Sequence, residues 1–322
     1  MVDILVIGVS SVFCRRVLPA LLSLECVDKI HLASSRSQVS VYIPESRRGK
    51  FYPDYEAALS DASPCIAYIS LPNHLHSEWA RKALEAGFHV IVDKPAFLSW
   101  SETQALLELA RQQNLCLAES TVWSFHPQVK AVLSSFDQIG SEPRSIQAVF
   151  SFPPLPRANF RNNPQMGGGS FFDLGRYAVS PGRIFFKDDP LHVSANILSH
   201  SIESGVDTGF ELSAVYPRGR SFQGFFSFET EYKNSLLVLG KGFSVLLEPA
   251  FTFADTKISE VNVRMESKSE RLSFEPADSF AVFFGAVIDS ICAGEWTHWL
   301  DILGRDAHVM HLAYESTKDG KL

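Results

Sequence analysis

The feature that most constrains this chain is the alternation, through its first 120 residues, of short apolar strands with amphipathic helices. Residues 4–8, 29–33, 65–70, 89–92 and 115–119 are apolar runs, and helical patterns reach about residue 23 and cover 54–59, 77–86 and 101–113. Near-continuous apolar runs fit strands buried on both faces of a sheet. Strands joined by helices through short connections lie parallel, so the pattern predicts a doubly wound parallel sheet. The basic stretch from Ile43-Pro44 to Arg47-Arg48-Gly49-Lys50 reads as a surface loop.

From residue 145 the pattern changes to a run of strands, at 145–152, 192–200, 208–216, 220–229, 234–240 and 242–247, with glycine or proline between several of them. An open, mainly antiparallel sheet is expected there, closed by helices at 279–292 and 302–314. A chain of 322 residues exceeds the usual single-domain size. The expected fold class is therefore α/β, a Rossmann-type domain over 1–120 followed by an α+β domain over 121–322 that binds substrate and mediates oligomerisation. The apolar stripe of Phe222, Phe225, Phe226 and Phe228 fits core or subunit interface better than a ligand box. Residues 153–165, PPLPRANFRNNPQ, form a loop directly before a glycine run, which makes them a substrate-loop candidate.

Several function classes are disfavoured. A net charge of −7 argues against a nucleic-acid groove. No apolar run is long enough to span a bilayer. Asp3 precedes the first apolar run and Arg15-Arg16 follow it, the reverse of a secretory signal. The five cysteines are scattered and without Cys-x-x-Cys spacing, which fits reduced thiols of a cytoplasmic protein and no zinc site. His74 and His76 have a metal-like spacing but lack a third ligand, so no metal is expected, and their loop, Leu71-Pro72-Asn73-His74-Leu75-His76, is read as positioning a cofactor.

Three stretches carry candidate chemistry. Gly8-Val9-Ser10-Ser11-Val12-Phe13 joins a strand to a helix, where backbone N–H groups and the helix dipole can cradle a phosphate. Serine and phenylalanine replace the second and third glycines of the dinucleotide fingerprint, so a plain βα turn fits equally well. After the second strand, Ser34-Ser35-Arg36-Ser37 offers hydroxyls and a guanidinium where an acid would bind a free ribose 2′-hydroxyl, which favours NADP(H) and leaves NAD(H) possible. Asp93-Lys94-Pro95 ends the fourth strand, at the edge where open α/β sheets bind ligands. Read alone, that pair fits a solvated surface ion pair.

Taken with Glu119-Ser120, Trp123-Ser124-Phe125-His126-Pro127-Gln128 and Gly167-Gly168-Gly169-Ser170-Phe171-Phe172-Asp173-Leu174-Gly175-Arg176-Tyr177, these stretches resemble the Gfo/Idh/MocA family of nicotinamide-dependent oxidoreductases over nearly the whole chain. In that family the lysine of a Glu-Lys-Pro motif is catalytic, and here Asp93 replaces the glutamate. The resemblance implies cofactor contacts from Gly8, Ser10, Ser11, Val12, Ser35, Arg36, Leu71, Pro72, Asn73, His76, Asp93 and Lys94. It implies catalysis by Lys94 and Tyr177. Substrate contacts are expected from Lys94, Trp123, Arg161, Asp173 and Tyr177.

Asp173 and Tyr177 are four apart, one face of a helix if one starts there. Many members carry histidine at the second position; the tyrosine resembles the branch of nucleotide-sugar ketoreductases and dihydrodiol or glucose–fructose oxidoreductases. A phenol suits protonation of a carbonyl oxygen, because a nearby ammonium such as Lys94 favours the phenolate left behind. The expected activity is NADP(H)-dependent hydride transfer to or from a sugar-type carbon, preferably in a nucleotide-linked keto-sugar. The rivals are an NADP-dependent dehydrogenase of free sugars or dihydrodiols, and a non-catalytic cofactor-binding regulator. A cytoplasmic homodimer or homotetramer through the C-terminal sheet is expected by analogy.

Overall fold

The structure, a computed structural model, describes residues 1–35, 41–63, 65–266 and 268–319. Two compact units emerge, one from Met1–Thr121 with Phe280–Gly304, the other from Val122–Ser279 with the chain from Arg305 onward. Phe280–Gly304 thus pack with the first unit, whereas the sequence reading placed everything beyond residue 120 in the second domain.

The first unit runs β1 (Val2–Ile7), a π-helical turn at Phe13–Val17, α1 (Leu18–Ser23), β2 (Val27–Ala33), β3 (Arg48–Tyr52), α2 (Tyr55–Asp61), β4 (Ile66–Ile69), α3 (His76–Glu85), β5 (His89–Val92), α4 (Trp100–Gln112) and β6 (Leu117–Glu119). Its strands form a parallel six-stranded sheet in the order β3-β2-β1-β4-β5-β6. Every residue of β4 is buried, which is why that strand reads as an uninterrupted apolar run. Leu5, Ile7, Ile69, Val90 and Val92 pack with Ala80, Leu84 and Leu107, while on the other side Tyr68 meets Phe284 edge-on at 5.3 Å between ring centroids. The stretch read as a basic loop runs at Arg48 into β3, a polar edge strand with only Tyr52 buried. Asp54 and Ser99 cap α2 and α4 by accepting hydrogen bonds from Ala57 N and Glu102 N.

The second unit contains α5 (Pro127–Ile139), β7 (Pro143–Ser151), α6 (Ser170–Phe186), β8 (His192–His200), β9 (Asp207–Tyr216), β10 (Arg220–Ser227), β11 (Lys233–Gly240), β12 (Phe243–Leu247), β13 (Ser259–Met265) and β14 (Lys268–Phe274). Its eight strands follow the order β14-β13-β12-β11-β7-β10-β9-β8, antiparallel except for the β7–β10 pair. The two strands β13 and β14 extend the sheet beyond the six expected. Helix α6 packs on β7, β9 and β10. Of the phenylalanine stripe, Phe222, Phe226 and Phe228 are core and Phe225 lies half-exposed on the opposite face. The closing helices are α7 (Ser279–Ala293) and α8 (Thr297–Asp319), each of which passes from one unit to the other along the chain.

Candidate active site

The turn after β1 is built around a backbone that admits no side chain. Gly8 has φ of 88°, and a Cβ there would lie 2.5 Å from Leu71 Cδ2 and 2.6 Å from the Ser70 carbonyl oxygen. Both the left-handed conformation and the close approach require glycine. Ser10 Oγ accepts from Phe13 N at 3.0 Å and lies 2.7 Å from Ser70 Oγ, which ties the turn to the end of β4. Ser11 is exposed and Val12 half-exposed. Phe13, where the fingerprint has a third glycine, is completely buried beside Tyr68 with ring centroids 6.4 Å apart. The helix opens there with the wider π-helical turn, so the ring enters the core where the fingerprint has no side chain.

A bare backbone at Gly8, an exposed hydroxyl at Ser11 and a helix start provide what a dinucleotide pyrophosphate requires. At the end of β2, Ser35 is exposed with its Oγ 3.5 Å from Tyr55 Oη, whereas Arg36 lies outside the described residues.

Lys94 leaves the end of β5 through a cis peptide to Pro95 and is half-exposed. Asp93 Oδ1 accepts from Ser120 Oγ at 3.0 Å. Burial raises the Asp93 carboxyl above the usual range, opposed by His76, Ser120, Lys94 and Tyr68. The next peptide is held from both sides. His76 Nδ1 lies 2.8 Å from the Pro95 carbonyl oxygen, and Ala96 N donates to Glu119 Oε2 at 2.7 Å. The other imidazole nitrogen, Nε2, lies 2.8 Å from the Leu71 carbonyl oxygen. His76 is 1% exposed, so its ring joins the loops after β4 and β5 and is no open cofactor contact. Asn73 is buried in the same loop, while Leu71 and Pro72 are half-exposed and His74 is exposed. No cluster of three or more His, Cys, Asp or Glu suited to a metal occurs among the described residues.

The second unit assembles Arg161, Asp173 and Tyr177 around the start of α6. Gly169 N donates to the Arg161 carbonyl and Gly168 N to that of Asn163, so the glycine run folds over the loop before it. Gly169 has φ of 110°, and a Cβ there would strike Asp207 Oδ1. Asp207 Oδ2 accepts from Ser170 Oγ and Phe171 N, both at 2.6 Å, which caps α6 from β9. The helix begins at Ser170, so Asp173 and Tyr177 do lie one turn apart on it. Arg161 Nε is 2.8 Å from Asp173 Oδ2, an ion pair in which the carboxylate side chain is 6% exposed.

The Tyr177 ring meets Phe150 edge-on at 5.0 Å and Phe251 at 5.1 Å, and the residue is half-exposed. Trp123 departs from expectation. It is buried, its indole N–H donates to Ser180 Oγ at 3.0 Å, and its ring packs on Phe251 at 5.2 Å. It backs the ring that backs Tyr177 and offers no face to a ligand. The sequence reading assigned no role to Glu119, Ser70, Asp207, Phe150 or Phe251, because each acts on a segment distant in sequence.

Two family models match the chain: the oxidoreductase family with an NAD-binding Rossmann fold over residues 2–121, and the GFO/IDH/MocA C-terminal domain over 129–245. The chain belongs to this oxidoreductase family. It is 29% identical to dTDP-3,4-didehydro-2,6-dideoxy-alpha-D-glucose 3-reductase of Actinomadura kijaniata, over 98% of this chain and 95% of the relative. It is 28% identical to D-xylose 1-dehydrogenase (NADP(+)) 2 of Haloferax volcanii, over 90% and 89%. A solved 3-ketoreductase from Actinomadura kijaniata, in complex with NADP and TDP-benzene, superposes with a TM-score of 0.90 at 28% identity, covering 98% of this chain and 97% of that one.

Proposed function

We propose that this member of the Gfo/Idh/MocA family is an NADP(H)-dependent oxidoreductase whose bound nicotinamide exchanges hydride with a sugar-type carbon, and whose preferred substrate is a nucleotide-linked keto-sugar. The near full-length match to a dTDP-keto-sugar 3-reductase carries this reading. Gly8, Ser10, Ser11 and Val12 would hold the pyrophosphate, Ser35 and Arg36 the adenosine ribose phosphate, and Leu71, Pro72, Asn73, Asp93 and Lys94 the nicotinamide end. Lys94 orients the substrate and stabilises negative charge on its oxygen. Tyr177 passes a proton to that oxygen. Arg161 and Asp173 contact the substrate as a pair. His76 acts on these loops from behind.

Half-exposed Val149, Phe225, Leu237 and Leu246 on the face of the large sheet away from α6 support assembly into a homodimer or homotetramer. The five cysteines form no disulfide with one another, which supports a reducing, cytoplasmic setting. No helix among the described residues is long and apolar enough to cross a membrane.

The test is a panel followed by nicotinamide absorbance. Turnover of a dTDP-linked 3-keto-sugar with NADPH, faster than with NADH, is expected. A second reading, dehydrogenation of free sugars, is favoured by the xylose dehydrogenase relative. Turnover of xylose or glucose with NADP and none of the keto-sugar would establish it instead.

A further inference from the structure

We propose that His76 and Glu119 are positioning residues for Lys94, acting as a two-sided clamp on the peptide between Pro95 and Ala96. This rests on the catalytic reading of Lys94. A lysine ammonium sits at the end of a flexible four-carbon stem, so its location depends on how firmly the backbone that carries it is held. One peptide unit, directly after Lys94-Pro95, has its carbonyl oxygen 2.8 Å from the His76 imidazole and its N–H 2.7 Å from the Glu119 carboxylate. Both clamping side chains are buried, at 1% and 8% exposure.

Each jaw is itself oriented. Thr121 Oγ1 donates to Glu119 Oε1 at 2.6 Å, and the far nitrogen of His76 meets the Leu71 carbonyl oxygen. Both partners of the ring are carbonyl oxygens, which hold it between the loops after β4 and β5. A carboxylate gives the N–H a stronger bond than a neutral acceptor would.

The experiment compares Glu119→Leu, Glu119→Gln and Lys94→Met in the full chain, with dTDP-3,4-didehydro-2,6-dideoxy-α-D-glucose and NADPH as probes. Glu119→Leu should lower kcat by about 10–100-fold, as loss of alignment does, while NADPH affinity from tryptophan quenching changes by less than about 3-fold. Glu119→Gln keeps an oxygen acceptor for Ala96 N and should return kcat to within about 5-fold of the parent. On a Lys94→Met background, Glu119→Leu should cost nothing further, because the clamp acts through the lysine.

An equal loss on both backgrounds, or a parental rate for Glu119→Leu where Lys94→Met is slow, would overturn the clamp and leave the catalytic reading standing. A parental rate for Lys94→Met would overturn both. If Glu119→Leu does not fold, Thr121→Val, which removes only the hydroxyl that orients the carboxylate, gives the same comparison with an expected loss of about 3–10-fold. No loss there would overturn the clamp.

Discussion

Arg161 Nε lies 2.8 Å from Asp173 Oδ2, so two residues that each suit a polar substrate hold one another across the start of α6. The pair joins the irregular loop before the glycines to the helix that carries Tyr177. Removing the guanidinium leaves a carboxylate whose side chain is 6% exposed. Arg161→Leu should therefore lower the unfolding free energy by about 1–3 kcal/mol, less than a fully buried pair would because the arginine is partly solvated. The double variant Arg161→Leu/Asp173→Asn should recover part of that loss in a urea titration. A double variant less stable than Arg161→Leu alone would show that the two residues are not coupled as described.

Gly8→Ala places a methyl group 2.5 Å from Leu71 Cδ2 and 2.6 Å from a carbonyl oxygen, at φ of 88°. The side chain can move, but the Ser70 backbone cannot without disturbing β4. A loss of about 1–3 kcal/mol of stability is expected, together with a larger relative loss in NADPH affinity. Titration calorimetry checks the second part; unchanged affinity would remove Gly8 from the cofactor turn.

Asp207 caps α6 through Ser170 Oγ and Phe171 N, both at 2.6 Å. Asp207→Ala should cost about 1–2 kcal/mol as a lost cap. Because the cap sits one turn before Asp173, KM for the substrate should rise more than the Kd for NADPH. Steady-state kinetics paired with cofactor titration separates the two.

Burial pulls the His126 imidazole from the ordinary 6.5 down to about 4, where it stacks on Phe253 with ring centroids 4.0 Å apart. Burial lowers His89 in the same direction. A histidine held neutral when folded binds more protons when unfolded, so its share of stability is complete above about pH 6.5 and is lost as pH falls toward 4. His126→Asn keeps a side-chain acceptor for the Gln128 N–H at the start of α5 but does not titrate. Its unfolding free energy should depend less on pH over that window than the parent's. Equal slopes would place the acid sensitivity elsewhere.

Much of the first unit is legible because β1, β4, β5 and β6 are apolar on both faces and separated by helices. β3 is not, since RGKFY buries only Tyr52 and looks like a solvated loop. β13 and β14 are hidden in the sequence for a related reason: SEVNVRM and KSERLSF carry few buried residues and depend on backbone pairing to β12 and to each other. α5 had local signals that sequence reading passed over, with His126 before Pro127 at its start and Gly140 in a left-handed conformation at its end. Lys94, Asp173 and Tyr177 stand out in sequence because they lie in recognisable motifs. The roles of Glu119, which lies in a stretch that carries the resemblance, and of Asp207 do not show in sequence, because their partners, Ala96, Ser170 and Phe171, are 23, 37 and 36 residues away.

The most direct measurement of the central claim is single-turnover reduction of a dTDP-linked 3-keto-sugar by NADPH-saturated enzyme, for the parent, Lys94→Met and Tyr177→Phe. The account predicts rapid nicotinamide oxidation by the parent and losses on the order of 10²–10⁴-fold for each variant, with NADPH affinity preserved in Tyr177→Phe. Parental rates in either variant, or no oxidation by the parent, would contradict it.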